Sequence, residues 1–312
     1  MRRLNVCLSV LFSICVMATS SHAQSGITQP GYYTLKIGDC EVIAVSDGIV
    51  PVNAKQLLNN DPAIPSMLKK AFLSEDVETS INTYLIRSGE RLILVDAGSG
   101  ALMGPYGGKL ITNLKKAGVK PEDISDILLT HVHIDHSGGL SIKGNILFPN
   151  ATIHVNTKDV EFWKAHETEQ ASDNRGIKAN RVAYLALKPY LDAGKVKTFS
   201  GNVTVLPGID TYETPGHMPG HSLYRLQSKG EKIVFLGDMV HIAAVQLSGP
   251  GIPDEYDFDK VKGAAQRKKV YADVATGAYL VAAAHISFPG IGYFRSEGKG
   301  YAWVPVNYSP GE

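Results

Sequence analysis

From Tyr32 to Val45 apolar and polar residues alternate, with a break at Ile37-Gly38-Asp39-Cys40, and the pattern predicts a β-hairpin. Thr83 to Ile86 and Leu92 to Val95, joined through a Ser88-Gly89-Glu90 turn, predict another. Gly108 to Ala117 carries the apolar spacing of an amphipathic helix, and Asp126 to Thr130 reads as a buried strand. The same mixture then returns without the same sequence. Ala151 to Val155, Val203 to Leu206, Lys232 to Leu236 and Tyr279 to Ala283 predict strands, while Lys158 to Gln170, Ile177 to Leu191 and Val261 to Val274 predict helices. Hairpins beside helices in both halves predict an α+β fold in which two mixed sheets pack face to face with helices outside. The residues of chemical interest fall just after the predicted strands.

Residues 1–23 stand outside this pattern. Arg2 and Arg3 precede an apolar run from Val6 to Ala18, and Ser21-His22-Ala23 ends in the small residue that a signal peptidase requires. The run is short for a bilayer span. The expectation is a cleaved secretory signal, a mature chain of residues 24–312 forming one domain, a periplasmic or secreted location, and no stable membrane anchor. Of three cysteines only Cys40 then remains, which excludes an internal disulfide and predicts a core thiol. With 31 Lys+Arg against 30 Asp+Glu along the whole sequence, no basic stripe is available for nucleic acid. Arg267, Lys268 and Lys269, on the helix expected over 260–274, read as a solvated amphipathic face.

Three of the ten histidines lie in His131-Val132-His133-Ile134-Asp135-His136. In extended backbone His131 and His133 face the same side, so both imidazoles can reach one ion. Asp135 and His136 come as the chain turns into Ser137-Gly138-Gly139 and can address a second ion nearby. Imidazole and carboxylate suit zinc, with iron, cobalt or manganese as alternatives. Two ions need more donors, and other predicted strands end in them: His217 in Thr214-Pro215-Gly216-His217, Asp238 after Leu236-Gly237, and His285 after Ala284. His154 and His166 read as structural. His241, three residues beyond Asp238, reads as a pocket residue that contacts substrate or hydrogen-bonds a neighbour.

Taken together, Thr130 to Gly139, Thr214 to His221, Gly237-Asp238 and His285 resemble the motifs of the metallo-β-lactamase superfamily. The resemblance implies an αββα sandwich with metals at one edge between the sheets. It implies His131, His133 and His217 on one ion, Asp135, His136 and His285 on the other, and Asp238 bridging both. Asp96, in Leu94-Val95-Asp96-Ala97-Gly98, matches an aspartate that supports the ligands, and His221 matches a histidine that is not itself a ligand. The segments Gly31 to Gly48, Ala244-Val245-Gln246 and Ser287 to Ser309 further resemble secreted methyl parathion hydrolases and related lactonases. Within that branch Trp163 matches an aromatic that lines the substrate pocket. Asn174-Arg175-Gly176-Ile177-Lys178 lacks the aromatic carried there by the phosphotriester enzymes.

The implied chemistry is hydrolysis of a small ester-like molecule. A hydroxide bridging two divalent ions would attack, because a metal lowers the pKa of bound water to about 7. Asp135 would hand a proton to the leaving group and Asp238 would couple the ions, which gives these two aspartates the catalytic roles. Lactones or aryl esters are the expected substrates, and phosphotriesters of the methyl parathion type the alternative. The bridging Asp238 argues against β-lactam cleavage. His133 argues against an iron oxidoreductase, since diiron reductases of the superfamily carry an acid there. The complete ligand set argues against a non-catalytic metal-binding protein, and a homodimer is left open.

Overall fold

The structure, a computed structural model, describes residues 29–168 and 175–309, with the backbone alone for residues 175–179. The expected signal segment, residues 169 and 170, and the side chains of 174–178 lie outside the described residues; the helix expected over 158–170 ends at Ala165, where His166 caps it. In the first sheet the spatial order is Tyr32–Ile37, Cys40–Asn53, Asp76–Ser88, Arg91–Val95, Asp126–Leu128, Thr152–Asn156 and Val196–Phe199. The second runs Thr204–Leu206, Ile209–Glu213, Ser222–Ser228, Glu231–Phe235, Leu280–Ala282, Ile291–Glu297 and Gly300–Pro305.

Both faces of the first sheet are covered around its central strands, which is why runs such as Val42 to Val45 and Leu92 to Val95 are continuously apolar. Successive side chains of Val42-Ile43-Ala44-Val45 point to opposite faces. Val42 and Ala44 share a core with Tyr224 and Phe235 of the second sheet. Ile43 and Val45 share another with Leu110, Leu114 and Leu187, from the helices Leu110–Lys116 and Arg175–Asp192. On the outer face of the second sheet, Leu223, Val234 and Val281 pack with Val270, Tyr271 and Val274 of the helix Lys260–Thr276. Each aliphatic side chain buried in this way contributes about 1.5–3 kcal/mol relative to exposure. The layers are therefore helix, sheet, sheet, helix, the αββα sandwich. Cys40 is a buried free thiol in the core between the sheets.

The hairpin closes where expected, with Ile37 paired to Cys40, but its second strand continues to Asn53. Ile209–Glu213, Ser222–Ser228 and the hairpin Ile291–Glu297/Gly300–Pro305 are strands that the apolar pattern did not predict. In Ile209–Glu213, Ser222–Ser228 and Ile291–Glu297 the alternation is carried largely by Thr, Tyr, Ser and Arg, so the apolar signal is thin. The reading of the helix over 260–274 as a solvated face needs correction. Lys268 and Lys269 are exposed, yet Arg267 is completely buried and ion-paired to Asp257 at 2.7 Å. Arg267 lies on the same helical face as Val270, Tyr271 and Val274, the face that packs on the sheet.

Parallel pairing decides where the chemistry lies. Arg91–Val95 pairs parallel with Asp126–Leu128, and Glu231–Phe235 pairs parallel with Leu280–Ala282. Loops that follow these strands emerge at one edge of the sandwich, where bonds between the sheets clamp them. Tyr224 Oη donates to the Leu129 carbonyl at 2.8 Å, Ser222 N to the Thr130 carbonyl at 2.9 Å, and Tyr84 Oη to the Ala283 carbonyl at 2.8 Å. Among the described residues no helix is long and apolar enough to cross a membrane.

Candidate metal centre

Asp96 leaves the strand Arg91–Val95 with a left-handed φ of 59°, a conformation uncommon outside glycine that asparagine and aspartate tolerate best. That turn aims its carboxylate at the next loop. Oδ1 accepts from Thr130 N and Oδ2 from Thr130 Oγ1, both at 2.8 Å. Oδ2 also accepts from His136 Nδ1 at 2.8 Å, so the His136 lone pair is on Nε2, a buried atom with no hydrogen-bond partner. His285 is oriented in the same way, with Nδ1 donating to the Ser80 carbonyl at 2.8 Å. Thr130 Oγ1, 3.1 Å from His131 Nδ1, already donates to Asp96 and so accepts from that nitrogen. In each case the inward-facing Nε2 is left as a lone pair.

These lone pairs converge in two groups. His217 Nε2 lies 3.2 Å from His131 Nε2 and 3.0 Å from His133 Nδ1. The donor atoms of His131, His133, His217 and Asp238 all lie within 4.8 Å of one another, as do those of Asp135, His136 and His285. Asp238 spans the groups. Its Oδ1 is 2.9 Å from His136 Nε2 and 3.1 Å from His285 Nε2, and its Oδ2 is 3.1 Å from His217 Nε2 and 3.6 Å from His131 Nε2. Gly237 allows this presentation through a φ of 50°, since a Cβ there would come within 2.7 Å of His221 Nε2. Buried imidazole lone pairs gathered around a shared carboxylate are the donor chemistry of a divalent cation, and the residues fit such ions.

The electrostatics follow from burial and this shared acid. Burial, then the neighbouring imidazoles, push His131 and His133 well below the ordinary imidazole range. Without an ion, burial acts the same way on His217 and His136, but Asp238 together with Asp257 raises His217 to about 9, and Asp238 together with Asp135 and Asp96 raises His136 well above its usual value; a bound cation would displace those protons and take the lone pairs. Burial would raise Asp238 itself, and His136, His285, His131 and His217 together hold it well below the carboxylate range. The bridging group is thus ionised.

His221 is buried with both ring nitrogens engaged by protein. Nε2 accepts from Asp238 N at 3.0 Å and Nδ1 lies 2.7 Å from Thr214 Oγ1. Burial, then His217, pushes it down to about 3, so it is neutral. His241 touches Asp238 Oδ2 through Nε2 at 3.0 Å and Asp254 through Nδ1 at 2.8 Å. His154 pairs with Asp126 at 2.9 Å and His166 stacks on Phe162, away from the centre. Trp163 is only 1% exposed and stands edge-on behind His133, ring centroids 6.2 Å apart. The exposed aromatics beside the ligands are Tyr256, edge-on to His241 at 5.3 Å, and Phe258, edge-on to Phe162 at 5.1 Å. Their loop has no periodicity, and no sequence signal marks them.

Asp159 was also missed. Its carboxylate accepts from Val132 N, between two ligands, and from Gly220 N, both at 2.8 Å, tying the two histidine-bearing loops together. Burial lifts it to about 6 against those two donors. In the sequence it is an acid in the first turn of the helix Thr157–Ala165, a placement that the helix dipole alone explains.

The family model described as Metallo-beta-lactamase superfamily matches residues 76–280. The solved structure of hydrolase AbOPH, of the beta lactamase superfamily, is 34% identical with a TM-score of 0.84, covering 90% of this chain and 99% of its own. AidC, described as a dizinc quorum-quenching lactonase, is 27% identical with a TM-score of 0.80, covering 89% and 98%. An N-acyl homoserine lactonase of Bacillus cereus is 30% identical over 130 residues, 41% of this chain and 43% of that protein. The chain spans about half the length of the curated relatives it matches.

Proposed function

The chain belongs to the metallo-beta-lactamase superfamily of metal-dependent hydrolases, and from that premise we propose that it is a dinuclear enzyme opening lactones or cleaving aryl esters. One observation carries the reading: the two oxygens of Asp238 are shared between two groups of buried donors. His131, His133 and His217 would hold one divalent ion, and Asp135, His136 and His285 the other. Zinc is favoured, with iron, cobalt or manganese as alternatives, and the similarity to dizinc AidC supports both the number and the metal. When bound, the ions supply hydroxide near neutral pH and polarise the scissile carbonyl.

The chain's own residues supply orientation and proton transfer. The Asp135 side chain is 17% exposed, against 2–4% for His136, His285 and Asp238. It is therefore the acid able to meet substrate, and its carboxylate can take up the proton that the attacking water gives up and pass it to the leaving oxygen as the scissile bond breaks. His241, held by Asp254, steadies Asp238. Tyr256 and Phe258 offer apolar rings suited to an acyl chain or aryl group.

The runner-up is a phosphotriester hydrolase, supported by the resemblance of residues 287–309 to the methyl parathion hydrolases. Residues 174–178 contain no aromatic, and one lost aromatic contact is worth about 0.5–1.5 kcal/mol, or a few-fold to about tenfold in rate. On one metal-loaded preparation, kcat/KM for lactones and aryl esters should exceed that for matched nitrophenyl phosphotriesters, whose turnover should be diminished by that factor and not absent. A phosphotriester preferred over every lactone and aryl ester tested would reverse the ranking. The Arg2-Arg3 and Ala23 pattern further supports export with cleavage before Gln24. Intact mass of exported protein checks this, and a species that keeps Met1 rejects it.

A further inference from the structure

The helix Lys260–Thr276 covers the second sheet from outside, yet it turns one cation inward. Arg267 has no exposed surface; its Nη1 donates to Asp257 Oδ2 at 2.7 Å and its Nη2 to the Ile252 carbonyl at 3.3 Å. Asp257 is itself buried, and its second oxygen, Oδ1, has no hydrogen-bond partner. Nor has His217 Nδ1, and these two orphaned atoms face each other at 3.4 Å, the outer edge of hydrogen-bond range. One is an acceptor and the other can carry a proton, so each is the natural partner of the other.

The surrounding backbone keeps them together. Phe258 N donates to the His217 carbonyl at 3.0 Å, and Asp259 N donates to the Gly216 carbonyl at 2.8 Å. A Cβ at Gly216 would come within 2.4 Å of the Gly263 nitrogen, so this turn packs directly on the backbone of the helix. Helix, loop and ligand-bearing turn therefore form one tightly packed unit.

We propose that Arg267 and Asp257 are a positioning pair that keeps the His217 proton on Nδ1 and thereby aims the Nε2 lone pair at the ion. Among the described residues every other imidazole whose Nε2 faces the centre has such a partner: Thr130 for His131, Asp96 for His136, Asp254 for His241, the Ser80 carbonyl for His285. For His217 the partner comes from outside the sheet edge and is itself ion-paired to a buried guanidinium. The proposal rests on the dinuclear reading but concerns how one ion is held, not which substrate is cleaved.

The test loads the full chain with cobalt(II) and reads metal per chain, the visible absorption of the bound metal, and the rate of release to a chelator. In Asp257→Asn, one ion should leave about 10–100-fold faster with a changed absorption band, and the other should leave as in wild type. Because Asp257→Asn strands a buried charge, the same readings are taken on Asp257→Asn/Arg267→Gln, which removes both charges. That double variant should show the same selective loss. Two ions released at wild-type rates with an unchanged spectrum would overturn the proposal, and so would a lowered thermal midpoint without any metal effect. Fewer than two ions in wild type would instead refute the dinuclear reading.

Discussion

Asp238→Ala is expected to lower kcat/KM by at least about 100-fold and to leave no more than one firmly held ion per chain. Replacing a group that only orients a ligand typically costs 10–100-fold in affinity or activity, and Asp238 stands in direct contact with both donor groups, so the effect belongs at or beyond that range. Its carboxylate is the shared anion at 2.9–3.1 Å from His136, His285 and His217. Without it those imidazoles lose the charge that holds His217 and His136 above the level burial alone would set. The fold should persist, because the sheets are clamped by bonds that do not involve Asp238, such as Tyr224 to Leu129 and Tyr84 to Ala283. Metal analysis after desalting, steady-state kinetics and circular dichroism decide the matter. Full activity, or two retained ions, would show that Asp238 does not couple the groups.

Asp96→Asn should separate orientation from ligation. Asparagine keeps the size of the side chain and tolerates the φ of 59°, and its oxygen can still accept from Thr130. It cannot offer His136 Nδ1 an ionised acceptor, so the hold on the Nε2 lone pair weakens. A 10–100-fold loss in metal affinity or kcat/KM is expected, confined to the ion on Asp135, His136 and His285. Asp96→Ala adds a stability cost, because Thr130 N–H is left buried without an acceptor, about 1–3 kcal/mol. Chelator competition and a urea midpoint distinguish the two losses. An asparagine variant indistinguishable from wild type in metal affinity and activity would remove Asp96 from the machinery of the site.

The candidate donor set was legible from the residues because coordination chemistry admits few residue types. His131 and His133 also announce themselves by a spacing of two in extended backbone. His217, Asp238 and His285 were legible only as residues at predicted strand ends, and the family resemblance was needed to assign them to ions. The αββα layering was readable for a related reason. Runs such as Val42 to Val45 are apolar at every position, and burial on both faces of a sheet requires that.

Other features depended on the fold alone. Arg267 is one of three consecutive cations on a helix, and only its spacing of three, four and seven from Val270, Tyr271 and Val274 separates it from Lys268 and Lys269, which are exposed. Its partner lies ten residues away in a loop without periodicity. Asp159 reads as an ordinary acid in the first turn of a helix until Val132 and Gly220 are brought to its oxygens. Trp163 could be matched to a pocket wall by sequence, but its position behind His133, with Tyr256 and Phe258 exposed instead, depends on how the helix Thr157–Ala165 packs. By itself the sequence determined many of the strands, the sheet-on-sheet layering and the candidate metal donors, because periodicity and donor chemistry are properties of a residue and its near neighbours. Only the tertiary structure decided which loops share an edge and which buried charges meet, because those contacts arise from the pairing of strands distant in the chain.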